Sequence, residues 1–413
     1  MLYKILNNLY TIFIQLYIQM FERELLVDIE KYLYTDDILL LYGSRQVGKT
    51  SIMKMLQEKE KRPTFFFDLE HPTHFKIFNQ NPDYFVEYLK FQKDWKWENI
   101  VVFVDEVQYL ENPTSFLKYL HDHFSSIKLI VSGSSTLEIR GKMKDSLAWR
   151  LLKFEVYPLN FKEFLIFKWK DILAKRVRNL IPFDETNDEL KMLYQEYSAF
   201  WWYPKVVLTN DEDMKKACLG QIVETYIQKD IKDIGKIRDV EKFNTTLKIL
   251  ADQSWSLLNI SELASDAIWI NRETLKSWLF LLENTFIIWT ITPFSNNLRS
   301  ELIKMPKIFF CDNGIRNYLL NHYEMDWSGF ETTFFGDVAH SYRFKKIQFY
   351  RTQDKKEIDF ILNETPYELK LNYNGKKLIA LDFFKEKYKK DWNVISLTKK
   401  EKSKYPVLYP WEI

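Results

Sequence analysis

Two of the chain's ten glycines fall within one octapeptide, Gly43-Ser44-Arg45-Gln46-Val47-Gly48-Lys49-Thr50. The spacing G-x-x-x-x-G-K-[ST] lets the backbone wrap so tightly that successive N–H groups face an anion. Ile38–Tyr42 is an apolar run that reads as the strand entering the loop. Thr50–Glu58 reads as the helix leaving it, its positive dipole end turned on the same anion. Strand, glycine loop and helix in this order demand an α/β layer built around a phosphate site. The cradle would run from Gly43 through Thr50 to Ser51, with Lys49 reaching the β- and γ-phosphates of ATP and the Thr50 hydroxyl ligating Mg²⁺.

The next requirement is an acidic group at the carboxyl edge of the same sheet, where ligands of open α/β sheets bind. Short apolar runs at Ile38–Tyr42, Thr64–Asp68, Ile100–Asp105, Lys128–Ser132 and Leu151–Tyr157 alternate with helical patterns, as in a parallel sheet covered on both faces. The third ends in Asp105-Glu106. Asp105 is expected to hold Mg²⁺ and Glu106 to orient and deprotonate the attacking water. An acidic pair after a strand is ordinarily a cap or a solvated turn, and the preceding phosphate loop changes that meaning. The fourth run leads into Gly133-Ser134-Ser135-Thr136, where Ser134 or Ser135 is a candidate to sense the γ-phosphate, or merely caps the next helix. Arg140 and Arg150 are the candidate arginines for transition-state charge, acting in cis or from a neighbouring copy.

Length and composition set the remaining bounds. The 413 residues are 46% apolar and 28% charged with the signs interspersed, which suits two or three packed domains and not a disordered chain. Cys218 and Cys311 lie far apart and form no metal-ligand spacing. Polar residues interrupt the stretch 1–20, so an amphipathic helix is expected there and no membrane span. Met20 is an alternative start, and the chain is expected to be cytoplasmic. The segments read as an extension (1–20), an ATPase domain (21–190), a helix-rich part (191–330) and a final strand-bearing unit (331–413).

These residues resemble a known family: prokaryotic P-loop ATPases of the AAA superfamily with a C-terminal domain of unknown function. The resemblance rests on the octapeptide 43–50, Val-Asp-Glu-Val-Gln at 104–108, Ser-Gly-Ser-Ser at 132–135 and Ser-Leu-Ala-Trp-Arg at 146–150. It continues through Tyr157-Pro158-Leu159-Asn160-Phe161, Lys307–Gly314 and Glu357-Ile358-Asp359-Phe360. Trp149 stands where that family usually has glycine, and Trp201-Trp202-Tyr203-Pro204 replaces a Gly-Gly-aromatic-Pro turn. The resemblance implies an AAA-type parallel sheet flanked by helices, then a winged-helix-like segment and a small α/β restriction-endonuclease-like domain.

The residues of the later segments carry their own signals. Asn259–Ala264 reads as a short helix capped by Ser261; a turn, the helix Arg272–Asn284 and the β-rich run Phe286–Ile291 follow. That order suggests a winged helix, with Arg272, Thr274, Lys276 and Ser277 facing DNA, or else a protein-docking module. Further on, Glu357-Ile358-Asp359 and Glu368-Leu369-Lys370 alternate on two strands. An acid on one strand and Glu-x-Lys on the next is the core of the PD-(D/E)xK nuclease pattern, in which carboxylates bind Mg²⁺. Asp337 stands where the family usually has a glutamate. A solvated hairpin face is the plainer meaning of alternating Glu and Lys. Residues 338–413 hold 17 Lys+Arg against 10 Asp+Glu, a modest pointer to nucleic acid.

The expectation is a Mg²⁺-dependent ATPase acting as a switch or motor on its C-terminal modules, with a homo-oligomer as one route to a complete site. Its rivals are an ATP-gated DNA nuclease and an ATP-dependent protein-binding scaffold whose nuclease-like fold is inactive.

Overall fold

In the computed structural model the residues described are 21, 23–92, 99–133, 149–178, 186–200, 202–225, 237–294, 305–341, 347–352, 354, 356–399 and 403–413. The chain divides into two compact units, 1–158 and 159–413.

The first unit follows from its strand composition. β1 (Ile38–Tyr42), β2 (Thr64–Asp68), β3 (Ile100–Asp105), β4 (Ile127–Gly133) and β5 (Leu151–Glu155) form one parallel sheet in the order β2-β3-β4-β1-β5. Every residue of β3 and β4 is buried. Such strands need helices on both faces, each buried large aliphatic or aromatic side chain contributing about 1.5–3 kcal/mol. The helices are α1 (Glu24–Glu30), α2 (Lys49–Lys59), α3 (Pro72–Phe78), α4 (Pro82–Gln92) and α5 (Pro113–His123). Phe67, Phe78, Phe85 and Phe116 pack edge-on or tilted between β2 and these helices. The five expected strands are all present, and β4 begins one residue earlier and ends one later than read. Because β4 lies between β1 and β3, the phosphate loop after β1 and the acidic end of β3 open on the same sheet edge.

The second unit begins with α6 (Phe161–Phe167), held by a capping box in which Asn160 and Glu163 bond each other's backbone N–H. α7 (Asn187–Phe200) and α8 (Glu212–Thr225) follow, then α9 (Val240–Asp252), the short turns 260–268 and α10 (Arg272–Asn284). The helix at 260–262 is capped by Asn259, whose Oδ1 accepts the N–H groups of Ser261 (3.2 Å) and Glu262 (3.3 Å). The expected cap, Ser261, is thus the second residue of the helix, two positions after the cap. β6 (Ile288–Ile291) pairs antiparallel with β7 (Lys307–Phe310), and Leu257 bridges Lys307 on the hairpin's other side. After α11 (Asn313–Leu320) and α12 (Trp327–Ser341) comes a second sheet. It holds β8 (Ile347–Arg351), β9 (Glu357–Leu362), β10 (Thr365–Lys370), β11 (Asn393–Ser396) and β12 (Val407–Leu408), in the order β12-β11-β10-β9-β8. α13 (Ile379–Tyr388) covers it through Leu381 and Phe384.

The helix-rich segment and the C-terminal strands both lie in this second unit. The hairpin explains why: Pro293 bridges Phe349 on β8, and Phe309 of β7 lies 5.6 Å from Phe360 of β9, ring to ring. Among the described residues no helix is long and apolar enough to cross a membrane.

Candidate active site

The loop 43–48 has the backbone its glycines were expected to permit. A Cβ on Gly43 would lie 2.1 Å from the Val156 carbonyl oxygen, so no other residue fits between β1 and the end of β5. Gly48 caps α2 with φ +98°, a conformation that side-chain-bearing residues avoid. Gln46 also has positive φ. The loop is braced from outside by Arg23 on the N-terminal side of α1, whose guanidinium donates to Val47 O (2.9 Å), Tyr157 O (2.8 Å) and Pro158 O (3.3 Å). Lys49, buried at the start of α2, donates to Gly43 O (3.0 Å) and Ser44 O (2.8 Å). Its ammonium therefore lies folded along the loop, in position to meet an entering anion.

Thr50 and Asp105 meet directly, with Thr50 Oγ1 donating to Asp105 Oδ2 at 2.6 Å. A hydroxyl and a carboxylate are hard oxygen donors suited to Mg²⁺, and Thr50 and Asp105 are the residues that would hold it. The donor set and the glycine cradle thus fit a magnesium nucleotide. Ser132, fully buried near the end of β4, donates to Asp105 Oδ1 and accepts the Glu106 N–H at 3.1 Å. Glu106 itself has φ +57°, and Gln108 Nε2 donates to its Oε2. Burial pushes the Glu106 carboxyl up, while Lys49, the Gln108 hydrogen bond and Arg45 oppose that shift. Tyr109 links this segment to the β2–α3 turn by donating to Glu70 Oε1 at 3.0 Å.

The structure therefore brings Lys49, Thr50, Asp105 and Glu106 together at one sheet edge. Ser134, Ser135 and Arg140 lie outside the described residues. Arg150 stands elsewhere. It immediately precedes β5, at the end of the sheet opposite the phosphate loop: the Arg150 carbonyl accepts the Ile38 N–H at 2.7 Å, one strand length, roughly 16 Å, from the glycines. Its guanidinium pairs with Asp122 at 2.7 Å. The cis role expected as one alternative for Arg150 is thereby corrected, because the side chain starts at the wrong end of its strand. Arg23, Ser132 and Gln108 were not singled out from sequence. A strand-end serine and the glutamine of Val-Asp-Glu-Val-Gln offered the only signal, and nothing local marked Arg23.

In the second unit, Asp359, Glu368 and Lys370 gather as their alternation implied. Lys370 Nζ donates to Glu368 Oε1 at 2.7 Å, and Asp359 Oδ2 accepts the Leu369 N–H at 2.8 Å. Asp337 is not with them. Its Oδ1 accepts the Phe161 N–H at 2.9 Å at the start of α6. The helical acid facing Asp359 is Glu331, a turn and a half earlier on α12 and 1% exposed. No hydrogen-bond donor reaches either Glu331 oxygen among the described residues. Burial and then the Asp359 charge push its carboxyl well above the usual range. Lys307, also 1% exposed, enters from β7 and pairs with Glu357 at 2.5 Å. Burial lowers its affinity for a proton, but the charges of Asp359, Glu331 and Glu357 outweigh that and hold it charged. Among the described residues no three acidic, histidine or cysteine side chains converge on one metal position.

Residues 35–165 match the family model described as "AAA domain", and residues 192–326 match a "Domain of unknown function (DUF8612)". An uncharacterized protein of Haemophilus influenzae is 24% identical over 339 residues, 79% of this chain and 80% of that one. The uncharacterized protein MJ1544 of Methanocaldococcus jannaschii is 28% identical over 299 residues, 71% of this chain and 64% of its own length. Among solved structures, the Walker-type ATPase PABY2304 of Pyrococcus abyssi aligns with 73% of this chain and 96% of its own, at TM-score 0.46 and 15% identity. The RuvB Holliday junction branch migration motor of Thermotoga maritima aligns with 65% and 90%, at TM-score 0.33 and 14% identity. The phosphate loop and the acidic strand end both lie within residues 35–165, the part that matches the AAA domain model, and residues 192–326 match the model of a domain of unknown function.

Proposed function

We propose that this chain binds ATP with Mg²⁺ and hydrolyses it, using the nucleotide state to reposition its C-terminal modules. The observation that carries this reading is the 2.6 Å contact between Thr50 and Asp105, with Lys49 and Glu106 at the same edge. In it the loop N–H groups and Lys49 bind the phosphates, Thr50 and Asp105 hold the cation, and Glu106 takes a proton from water. Bound Mg²⁺ would offset negative charge on the transferred phosphoryl group. Purified protein should turn over ATP only with Mg²⁺. Glu106→Gln should retain ATP and lose turnover by about 10²–10⁴-fold, the span of a general base. Tight binding without hydrolysis in the unaltered protein would sink this in favour of a static ATP-binding module.

For the C-terminal unit we favour a scaffold over an active nuclease. Lys307 pairs with Glu357 and Lys370 donates to Glu368 there, which supports internal pairing in place of a metal centre. Cleavage of single- or double-stranded DNA with Mg²⁺ or Mn²⁺, abolished by Asp359→Ala, would overturn that choice. The order of α9, the bridge at Leu257, the turns at 260–268, α10 and the β6–β7 hairpin supports a winged-helix reading. On its exposed face Arg272 donates to Ser261, Lys276 pairs with Glu273 at 2.8 Å and Ser277 bonds its own helix. Polar groups so engaged favour protein docking over DNA, and unchanged elution beside DNA at low salt is the expected result.

A further inference from the structure

We propose that Gln108 is a positioning residue for hydrolysis, holding Glu106 in the orientation from which it acts on water; this rests on the ATPase reading above.

The argument starts from the backbone. Glu106 lies in the left-handed region, φ +57°, a conformation that a non-glycine residue keeps only where its surroundings impose it. Two contacts impose it here. Ser132, on the neighbouring strand, accepts the Glu106 N–H at 3.1 Å, which anchors the main chain. The tight turn Val107–Tyr109 then folds the chain back, so that the side chain two residues on returns to the Glu106 carboxylate. Gln108 is 5% exposed and donates through Nε2 to Oε2 of Glu106. An amide is suited to this work because it donates without adding charge. A lysine would neutralise the carboxylate, and a leucine would leave it without a donor in a half-buried site.

The geometry has a catalytic consequence. A carboxylate with one oxygen tied to Gln108 keeps the other to accept a proton, and its plane is set before nucleotide arrives. A base that swings freely spends most of its time misaligned, and a displacement of about 1 Å can cost about 10²-fold. Gln108 lies in the turn after β3 and not in the phosphate loop, and the bonds of Lys49 to Gly43 O and Ser44 O and of Thr50 to Asp105 are made without it. Its loss should therefore act on turnover and not on nucleotide affinity.

Gln108→Met keeps length and bulk while removing the donor, and Gln108→Glu keeps the shape while placing a like charge against Glu106. Steady-state ATP turnover with Mg²⁺ would be measured for the full chain and both variants, alongside KM and the thermal midpoint. The expected result is a fall in kcat of at least tenfold in Gln108→Met and a larger one in Gln108→Glu, with KM within twofold of the unaltered protein. Gln108→Asn, which keeps the amide on a shorter stem, should recover part of the loss relative to Gln108→Met. A kcat within twofold of the unaltered protein in Gln108→Met overturns the proposal, as does a rise, which would make Gln108 a brake. A parallel change in KM and kcat also overturns it. If a variant fails to fold, the remaining two decide by the same criteria. Absence of turnover in the unaltered chain would instead remove the ATPase reading itself, and the role of Gln108 with it.

Discussion

Glu368 shows what one side chain must tolerate inside the C-terminal unit. Its carboxyl is pushed up to about 8, first by burial and then by the charge of Asp359, with Lys370 pulling the other way. The ordinary value of 4.5 applies once the chain unfolds. Between those two values the native state binds more protons than the unfolded one, so stability falls as pH rises. The favourable contribution is complete below about 4.5 and is lost as pH climbs through about 8. Glu368→Gln mimics the neutral carboxyl and removes this dependence. Denaturation midpoints of the two proteins should converge near pH 4–5, with the variant the more stable above about pH 8. A variant less stable than the original at high pH would show that the ionised carboxylate is the form the fold prefers.

At the scale of elements, α12 and the segment before Pro204 are matched as a pair. A Cβ placed on Gly336 would lie 1.8 Å from the fully buried Trp202 ring. Trp202 stands where resemblance to the family led one to expect glycine, and Gly336 on the facing helix leaves the room that its ring fills. Gly336→Ala gains helix propensity of about 1 kcal/mol but forces the indole aside, and overpacking of this kind typically costs about 1–3 kcal/mol. The ring is hemmed in by Tyr197, stacked at 5.0 Å, and by His340, so the clash should win. Urea denaturation should show net destabilisation by Gly336→Ala, against the stabilisation seen when an alanine replaces an unhindered helical glycine. The same helix marks where reading from sequence stopped. β1, β2 and β3 matched their apolar runs to the residue, and β1 and β3, buried on both faces, have no register to mistake. α12 is buried nearly all round, so its periodicity does not say which acid faces the sheet, and Asp337 was read where Glu331 lies. Gln108 and Ser132 escaped for a related reason: their roles depend on a left-handed residue and a neighbouring strand, which no linear spacing encodes.

For the whole molecule, the position of Arg150 decides whether one chain suffices. Its guanidinium is tied to Asp122 at the sheet edge opposite the phosphate loop, so it has no path to its own nucleotide. If it contributes to hydrolysis it must do so across an interface, completing the site of a second copy. Trp149 beside it is 93% exposed, a large apolar surface that such an interface would cover. Arginines in this role are worth about 10³–10⁵-fold in turnover, so Arg150→Ala alone should be nearly inactive. Glu106→Gln alone should be inactive too, but for lack of a base. The two defects then lie in different copies of a mixed assembly. A site with the Arg150→Ala loop and Glu106, facing an intact Arg150 from a Glu106→Gln neighbour, has every group it needs. Mixing the two inactive proteins should therefore restore ATP turnover, rising with total protein concentration. Mass measured with and without ATP should show the assembly on which that recovery depends. If the mixture stays inactive while each variant still binds ATP, Arg150 is not a trans-acting group. If Arg150→Ala alone keeps full activity, its pairing with Asp122 is structural and the site is complete within one chain.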